Sequence, residues 1–148
     1  MDSLTLALGI FVALETLNIG ILYFAPHSRM GNGVGVFKAY AASEADPAQR
    51  ALIRYLVNWV AGTKLIFVAL LLVILATGSV TTRLLAVGVL IPAILTFYWR
   101  LYPAIREMDA AGWIEPPGYA RTLGWMIAAF VAGFVVALGV FVAGGGTL

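Results

Sequence analysis

Four long apolar stretches alternate with shorter, more polar segments along the chain. Each stretch has about 20 residues or more, which is enough for a helix to cross the ~30 Å hydrocarbon core of a bilayer. The stretches predict helices at about 4–24, 47–76, 83–102 and 119–143. Because little chain is left between them, we expect a single integral membrane domain over residues 1–148. The predicted fold is an all-α, four-helix transmembrane bundle.

Local sequence signals mark where these helices begin or bend. Ser3 is expected to cap the first helix, and Asp46 to cap the second, with Pro47 at its first position. From there the second helix can continue for ~45 Å, so its first turns are expected to project into water. Pro92 cannot donate a backbone hydrogen bond to the Gly88 carbonyl, which predicts a kink in the third helix.

Two of the three connections are long. The first, at about 26–46, contains Gly31-Asn32-Gly33-Val34-Gly35, whose spacing matches neither a P-loop nor a dinucleotide-binding fingerprint. A flexible loop is expected there. The other long connection includes an amphipathic segment at about 103–113, which is expected to lie in the membrane interface.

Basic residues are distributed unequally between the two ends of the predicted bundle. Arg83 alone flanks the tight turn between the second and third helices. Seven basic residues flank the long connections: Arg29, Lys38, Arg50, Arg54, Arg100, Arg106 and Arg121. Because Lys and Arg are enriched in cytoplasmic loops, the long connections are predicted to be cytoplasmic and both termini to be outside. We expect a multi-pass protein of a bacterial inner (plasma) membrane.

Composition narrows the possible chemistry. The chain is 62% hydrophobic and 11% charged, whereas soluble domains carry about a quarter charged residues. It has no cysteine, which excludes thiol nucleophiles, disulfides and Cys-ligated metals. The one histidine, His27, is expected to act as a positive cap on the first helix rather than as a catalytic base. We therefore expect no enzymatic activity, no cofactor and no metal. The net charge of +2 indicates membrane topology, not nucleic-acid binding.

One carboxylate, Glu15, lies in the middle of the first apolar stretch, where it must be neutral, paired or facing a polar cavity. Glu15 lies nine residues from Phe24, and Lys64 nine residues from Tyr55, so both are ~14 Å from the same boundary. This matched depth predicts an ion pair. Helical side chains lean toward their own N-terminus, however, so Lys64 could reach the interface alone. Asn18, one turn from Glu15, could bond to its carboxyl group or to a partner.

Three roles are therefore open for Glu15. It could be structural, as half of an ion pair or as a hydrogen-bonded neutral acid. It could be the proton-linked binding site of a transporter, because membrane carboxylates often act in that way. It could also anchor a partner helix that carries a hydrogen-bond donor.

The fourth predicted helix carries small residues at four-residue spacing. Such ridges let two helices approach closely. The predicted packing residues are Gly124, Ala128, Ala132 and Gly133.

Two resemblances to known families bear on function. Ala13-Leu14-Glu15 is similar to the acidic site in the first helix of the small multidrug-resistance transporters. Those proteins are shorter and have tight loops, so only their proton-linked mechanism is kept as an alternative. The layout of four helices with paired long connections resembles the DoxX-like and BphX-like four-helix bacterial membrane proteins. That resemblance implies the membrane fold and assigns no residue a role.

The leading hypothesis is a non-enzymatic accessory or scaffold subunit of a larger inner-membrane complex that carries out transport. The expected partners are membrane lipids and the other integral membrane subunits of that complex. This hypothesis follows from the lack of a catalytic constellation, the small extramembrane mass and the small-residue ridge. The alternative is a small proton-linked transporter or lipid carrier that uses Glu15.

Overall fold

The computed structural model describes residues 2–144, which fold almost entirely as helices. These are α1 (Ser3–Phe24), α2 (Lys38–Ser43), α3 (Pro47–Thr77), α4 (Val80–Leu95), α5 (Phe97–Ala110) and α6 (Tyr119–Ala143). Four helical segments are long and apolar enough to cross a membrane: α1, α3, α4 together with α5, and α6. The predicted all-α class with four candidate spans is confirmed. A single β-bridge and a short 3₁₀ turn complete the part of the chain described.

The central helix is α1, which packs against α3, α4 and α6. Phe11 on α1 makes edge-to-face contacts with Phe67, Phe130 and Phe134, at ring-centroid distances of 6.1, 5.7 and 5.3 Å. The buried residues of this main core are Leu4, Leu8, Phe11, Val12, Ile19, Val68, Leu71, Val87, Leu90 and Phe134. Because lipid is as apolar as these side chains, close packing rather than expulsion from water holds such a core together.

The cap of α1 corrects one prediction. Asp2, not Ser3, caps the helix: its carboxylate accepts a hydrogen bond of 2.7 Å from the Thr5 backbone N–H. The Ser3 hydroxyl instead donates to the Ala137 carbonyl at 2.8 Å and so joins α1 to α6. A local capping rule cannot choose between adjacent polar residues when one of them has a partner on another helix. For α3, Asp46 accepts from two backbone N–H groups, as the sequence predicts.

The third span is longer than the predicted 83–102. It begins at Val80, is interrupted only at Thr96, one turn after Pro92, and continues as α5 to Ala110. Residues 103–110 of the amphipathic stretch therefore belong to this span, and they are not a separate segment that starts at Pro103. The extension of the span is held by Ile105, which is buried in a small core with residues from both long connections.

The two long connections form one structured cap. The Lys38 N–H donates to the Trp113 carbonyl, and the Glu115 N–H donates to the Val36 carbonyl, each at 2.9 Å. Asp109 caps α6 by accepting from two backbone N–H groups. The core of this cap consists of Val36, Ile105, Ile114 and Ala120. We call this side of the bundle the connection end, and the side with Asp2 and the Gly78–Ser79 turn the turn end.

Candidate functional site: an intramembrane ion pair and its cavity

The Lys64 ammonium on α3 donates to the Glu15 carboxylate on α1, so the ion pair suggested by their matched depth is present. Only 12% of the Glu15 side chain and 24% of the Lys64 side chain are exposed. The opposing lean of the two side chains does not prevent the contact, because the long lysine stem can cover the offset between them.

Close packing of α1 on α3 holds this pair together. Ala61, one turn before Lys64, is fully buried against α1, and the Tyr23 hydroxyl lies 3.4 Å from the place a Cβ would occupy at Gly62. These small residues let the two helix backbones approach. On the other side of Lys64, Val68 belongs to the main core. The pair is thus placed between two apolar clusters, where its electrostatic attraction is strong.

A cavity of about 190 Å³ opens beside Glu15, between α1 and α6. Residues 30–32 of the first connection cover it at the connection end. Gly31 has a φ of +55°, and a Cβ built there would lie only 2.5 Å from the Asn18 Oδ1 atom. The loop therefore passes directly over the Asn18 amide. The apolar wall is formed by Leu14, Leu17, Ile21, Leu123, Met126, Ile127 and Phe130.

Two polar groups that line this cavity, the Oε1 atom of Glu15 and the side-chain amide of Asn18, have no hydrogen-bond partner within residues 2–144. Within residues 2–144, the hydrogen bond of Glu15 uses only Oε2, and the Asn18 side chain makes no hydrogen bond. Neither group is among the fully buried unsatisfied atoms, so both are accessible from the cavity. An unpaired amide in hydrocarbon is costly, and this cost is removed when a small molecule supplies a matching donor or acceptor.

A second ion pair lies at the turn end. Arg83 contacts the Asp2 carboxylate at 3.4 Å and the Thr5 hydroxyl at 3.0 Å. The Thr5 backbone N–H, the Thr5 hydroxyl and the Arg83 charge together hold the pKa of Asp2 below its usual value, against the effect of partial burial. The single basic residue at this end is thereby neutralised within the chain.

The predicted packing residues of α6 differ in how deeply they are buried. Gly124 packs inside the protein, where a Cβ would lie 2.9 Å from the Tyr102 ring on α5. Ala128 is half-buried. Ala132 and Gly133 are exposed on the outer surface of α6, and a Cβ at Gly133 would meet nothing within 4 Å.

A larger cleft of about 780 Å³ lies at the connection end, on the other side of α1, and the sequence did not predict it. It is formed by the end of α1, by α2 and by the first turns of α3. Arg50, Arg54 and Asn58 line it from α3. The spacing of these three residues is visible in the sequence, but their opposite wall is α2, where only a loop was expected. We call this space the arginine cleft.

No group of three or more His, Asp or Glu side chains within residues 2–144 is placed to hold a metal ion. Comparisons with protein-family models, curated proteins and solved structures found no match. The resemblance to DoxX-like and BphX-like proteins therefore stays a prediction.

Proposed function

We propose that this protein is a non-enzymatic accessory or scaffold subunit of a larger inner-membrane complex that carries out transport. The observation that supports this role most directly is the contact between Glu15 and Lys64. A carboxylate neutralised by a lysine of the same chain acts mainly in architecture, because it fixes the rotation of α1 against α3.

The outer surface of α6 supports a docking role. Ala132 and Gly133 are exposed there, with open space at Gly133. Small residues allow a partner helix to approach closely and gain dispersion contacts. The partners in this proposal are membrane lipids and other membrane subunits.

The orientation belongs to the same proposal. Seven of the nine basic residues flank the connection end, and Arg83 at the turn end is paired with Asp2. By the positive-inside rule, the connection end then faces the cytoplasm and both termini face outward. Labelling of cysteines introduced singly at Ala111 and at Thr81, in intact cells and in opened membranes, tests this arrangement. Labelling of the Ala111→Cys variant in intact cells would show the opposite orientation.

The deciding experiment combines cross-linking with mass spectrometry. A photo-crosslinking residue replaces Val136, an exposed large side chain one turn from Gly133 on α6, or, as a matched control, Leu70 on the exposed face of α3. After irradiation in native membranes, the protein is purified in a mild detergent. We expect one defined membrane protein to be cross-linked from position 136 and not from position 70. Recovery of the protein alone, or only with copies of itself, rejects the accessory role.

A proton-linked transporter or lipid carrier is the second candidate, and the cavity beside Glu15 favours it. Glu15 Oε1 and the Asn18 amide could together receive a hydroxyl or amide group of a small amphiphile. Glu15→Gln keeps the size of the side chain and removes the titration, and because Lys64 then loses its carboxylate partner, the variant is first shown to fold. In proteoliposomes with an internal pH dye, a panel of lipophilic amines should cause proton movement with the native protein only. Equal movement with Glu15→Gln excludes the proton-linked form.

A further inference from the structure

The arginine cleft is a distinct site that neither the ion pair nor the proposed function explains. Its walls come from three helices, and its floor is apolar. Helices α1, α2 and α3 and the residue after α2 contribute, among others, Leu22, Tyr40, Glu44, Arg50, Arg54 and Asn58 to its lining. Its position at the connection end, where α3 leaves the apolar part of the bundle, corresponds to the headgroup layer of a bilayer.

The polar wall of the cleft follows from the spacing of residues on α3. Arg50, Arg54 and Asn58 are four residues apart, so they lie on one face of the helix, and all three line the cleft. They cover ~12 Å along the helix axis, which is enough to span a headgroup layer of ~5–8 Å. Asn58 lies nearest to the hydrocarbon and Arg50 farthest from it.

The charge of the cleft selects an anion. Glu44 lies 3.7 Å from Arg50 and offsets its charge. Arg54 has no carboxylate partner among the residues that the structure describes. The two arginines and one glutamate leave a net charge of +1, which matches the single negative charge of a phosphodiester. The guanidinium fork also fits two phosphate oxygens at once.

The apolar and aromatic residues select an amphiphile. Leu22 and Val57 are buried at the floor, on the side that faces the hydrocarbon. Tyr23, Tyr40 and Tyr55 surround the polar part, and tyrosine favours the boundary between headgroups and acyl chains. The cleft thus changes from charged to apolar in the direction in which a phospholipid does.

We propose that the arginine cleft binds one anionic phospholipid, with its phosphate at Arg54 and Arg50 and its glycerol backbone near Asn58. A bilayer supplies this chemistry at the right depth, and the apolar floor matches the acyl end of a lipid. The cleft is separated from the Glu15 cavity by α1, so the proposal does not depend on the function proposed above.

The test uses the whole protein, purified in detergent and stripped of lipid. Thermal unfolding is followed while one of three probes is added: phosphatidylglycerol, phosphatidylcholine or inorganic phosphate. We expect saturable stabilisation by phosphatidylglycerol alone. Arg54→Gln should weaken that binding about tenfold, since a charge-assisted hydrogen bond is lost. Arg100→Gln is the matched control, because Arg100 stacks on Trp99 at the same end, outside the cleft.

Each other outcome contradicts the proposal. Equal stabilisation by inorganic phosphate makes the cleft a site for free phosphate. Equal stabilisation by phosphatidylcholine makes the effect one of bulk lipid. Equal weakening by Arg54→Gln and Arg100→Gln places the lipid elsewhere. If Arg54→Gln does not fold, Arg54→Lys keeps the charge and loses the fork, and undiminished binding in that variant removes the role assigned to the guanidinium.

Discussion

The Lys64 ammonium on α3 lies against the Glu15 carboxylate on α1, ~14 Å from the connection end of the bundle. Because both residues lie between apolar clusters, neither charge can be left alone without a large cost. The pair therefore fixes how α1 is rotated and shifted against α3. Glu15 also lines the cavity between α1 and α6.

Removing one residue of this pair should destabilise the protein more than removing both. We predict that Glu15→Ala and Lys64→Ala each destabilise the protein, by up to ~3–5 kcal/mol if the pair behaves as in soluble proteins. The double variant should lose less than the sum, because it leaves no unpaired charge. Reversible unfolding in mixed detergent micelles measures all four proteins. Strictly additive losses would show that the two charges do not interact.

Stability should also respond to acid at the turn end. The folded protein holds the pKa of Asp2 below its usual value of 3.8, so ionised Asp2 stabilises the native state. That contribution is complete above pH ~4 and is lost as the pH falls through the lowered value. Asp2→Asn keeps a capping oxygen without a charge, so it should remove this part of the pH dependence. Unfolding curves between pH 6 and pH 3 compare the two proteins, and an unchanged acid response in Asp2→Asn assigns it to other groups.

The membrane spans could be predicted because they depend on local composition. Continuous apolar sequence is enough to identify a helix that crosses a bilayer, and Asp46-Pro47 marks a helix start by itself. The length of the third span could not be predicted, because Ile105 is held in a small core with Val36, which is distant in sequence. No local signal identifies the hydrogen bond between Lys38 and Trp113 that joins the two connections.

The candidate site was only partly predictable. Residue spacing placed Glu15 and Lys64 at one depth, but depth does not determine how two helices are rotated. That rotation depends on Ala61 and Gly62, whose small size brings α3 close to α1. The cavity beside Glu15 also needs Gly31, which lies in a connection that was expected to be a flexible loop.

Gly31 should be more sensitive to substitution than another glycine of similar backbone conformation. Gly31 and Gly112 have φ values of +55° and +73°, so alanine costs ~1–2 kcal/mol at either position through the backbone alone. At Gly31 the new methyl group would also meet the Asn18 Oδ1 atom, whereas nothing lies within 4 Å at Gly112. We expect Gly31→Ala to be the more destabilising and to open the cavity beside Asn18. Thermal unfolding compares the two variants, and equal losses would mean that the loop does not rest on Asn18.

Substitutions at two glycines of α6, the buried Gly124 and the exposed Gly133, should distinguish internal packing from partner binding. Gly124→Ala places a methyl group 2.9 Å from the Tyr102 ring, and we expect a loss of ~1–3 kcal/mol from overpacking. Gly133→Ala meets open space, so the isolated protein should keep or gain stability, by up to ~1 kcal/mol from helix propensity.

In native membranes, substitution of Gly133 should affect partner binding more than substitution of Gly124, which is the opposite of their order of effect on stability. If a partner helix packs on Ala132 and Gly133, the bulkier Gly133→Leu should remove the co-purifying partner while the isolated protein still unfolds at its normal temperature. Gly124→Ala should retain the partner in proportion to the protein that remains folded. Co-purification and unfolding of the same preparations measure both effects. A partner that survives Gly133→Leu must bind another face of the bundle, because no close helix contact can form over a leucine at that position.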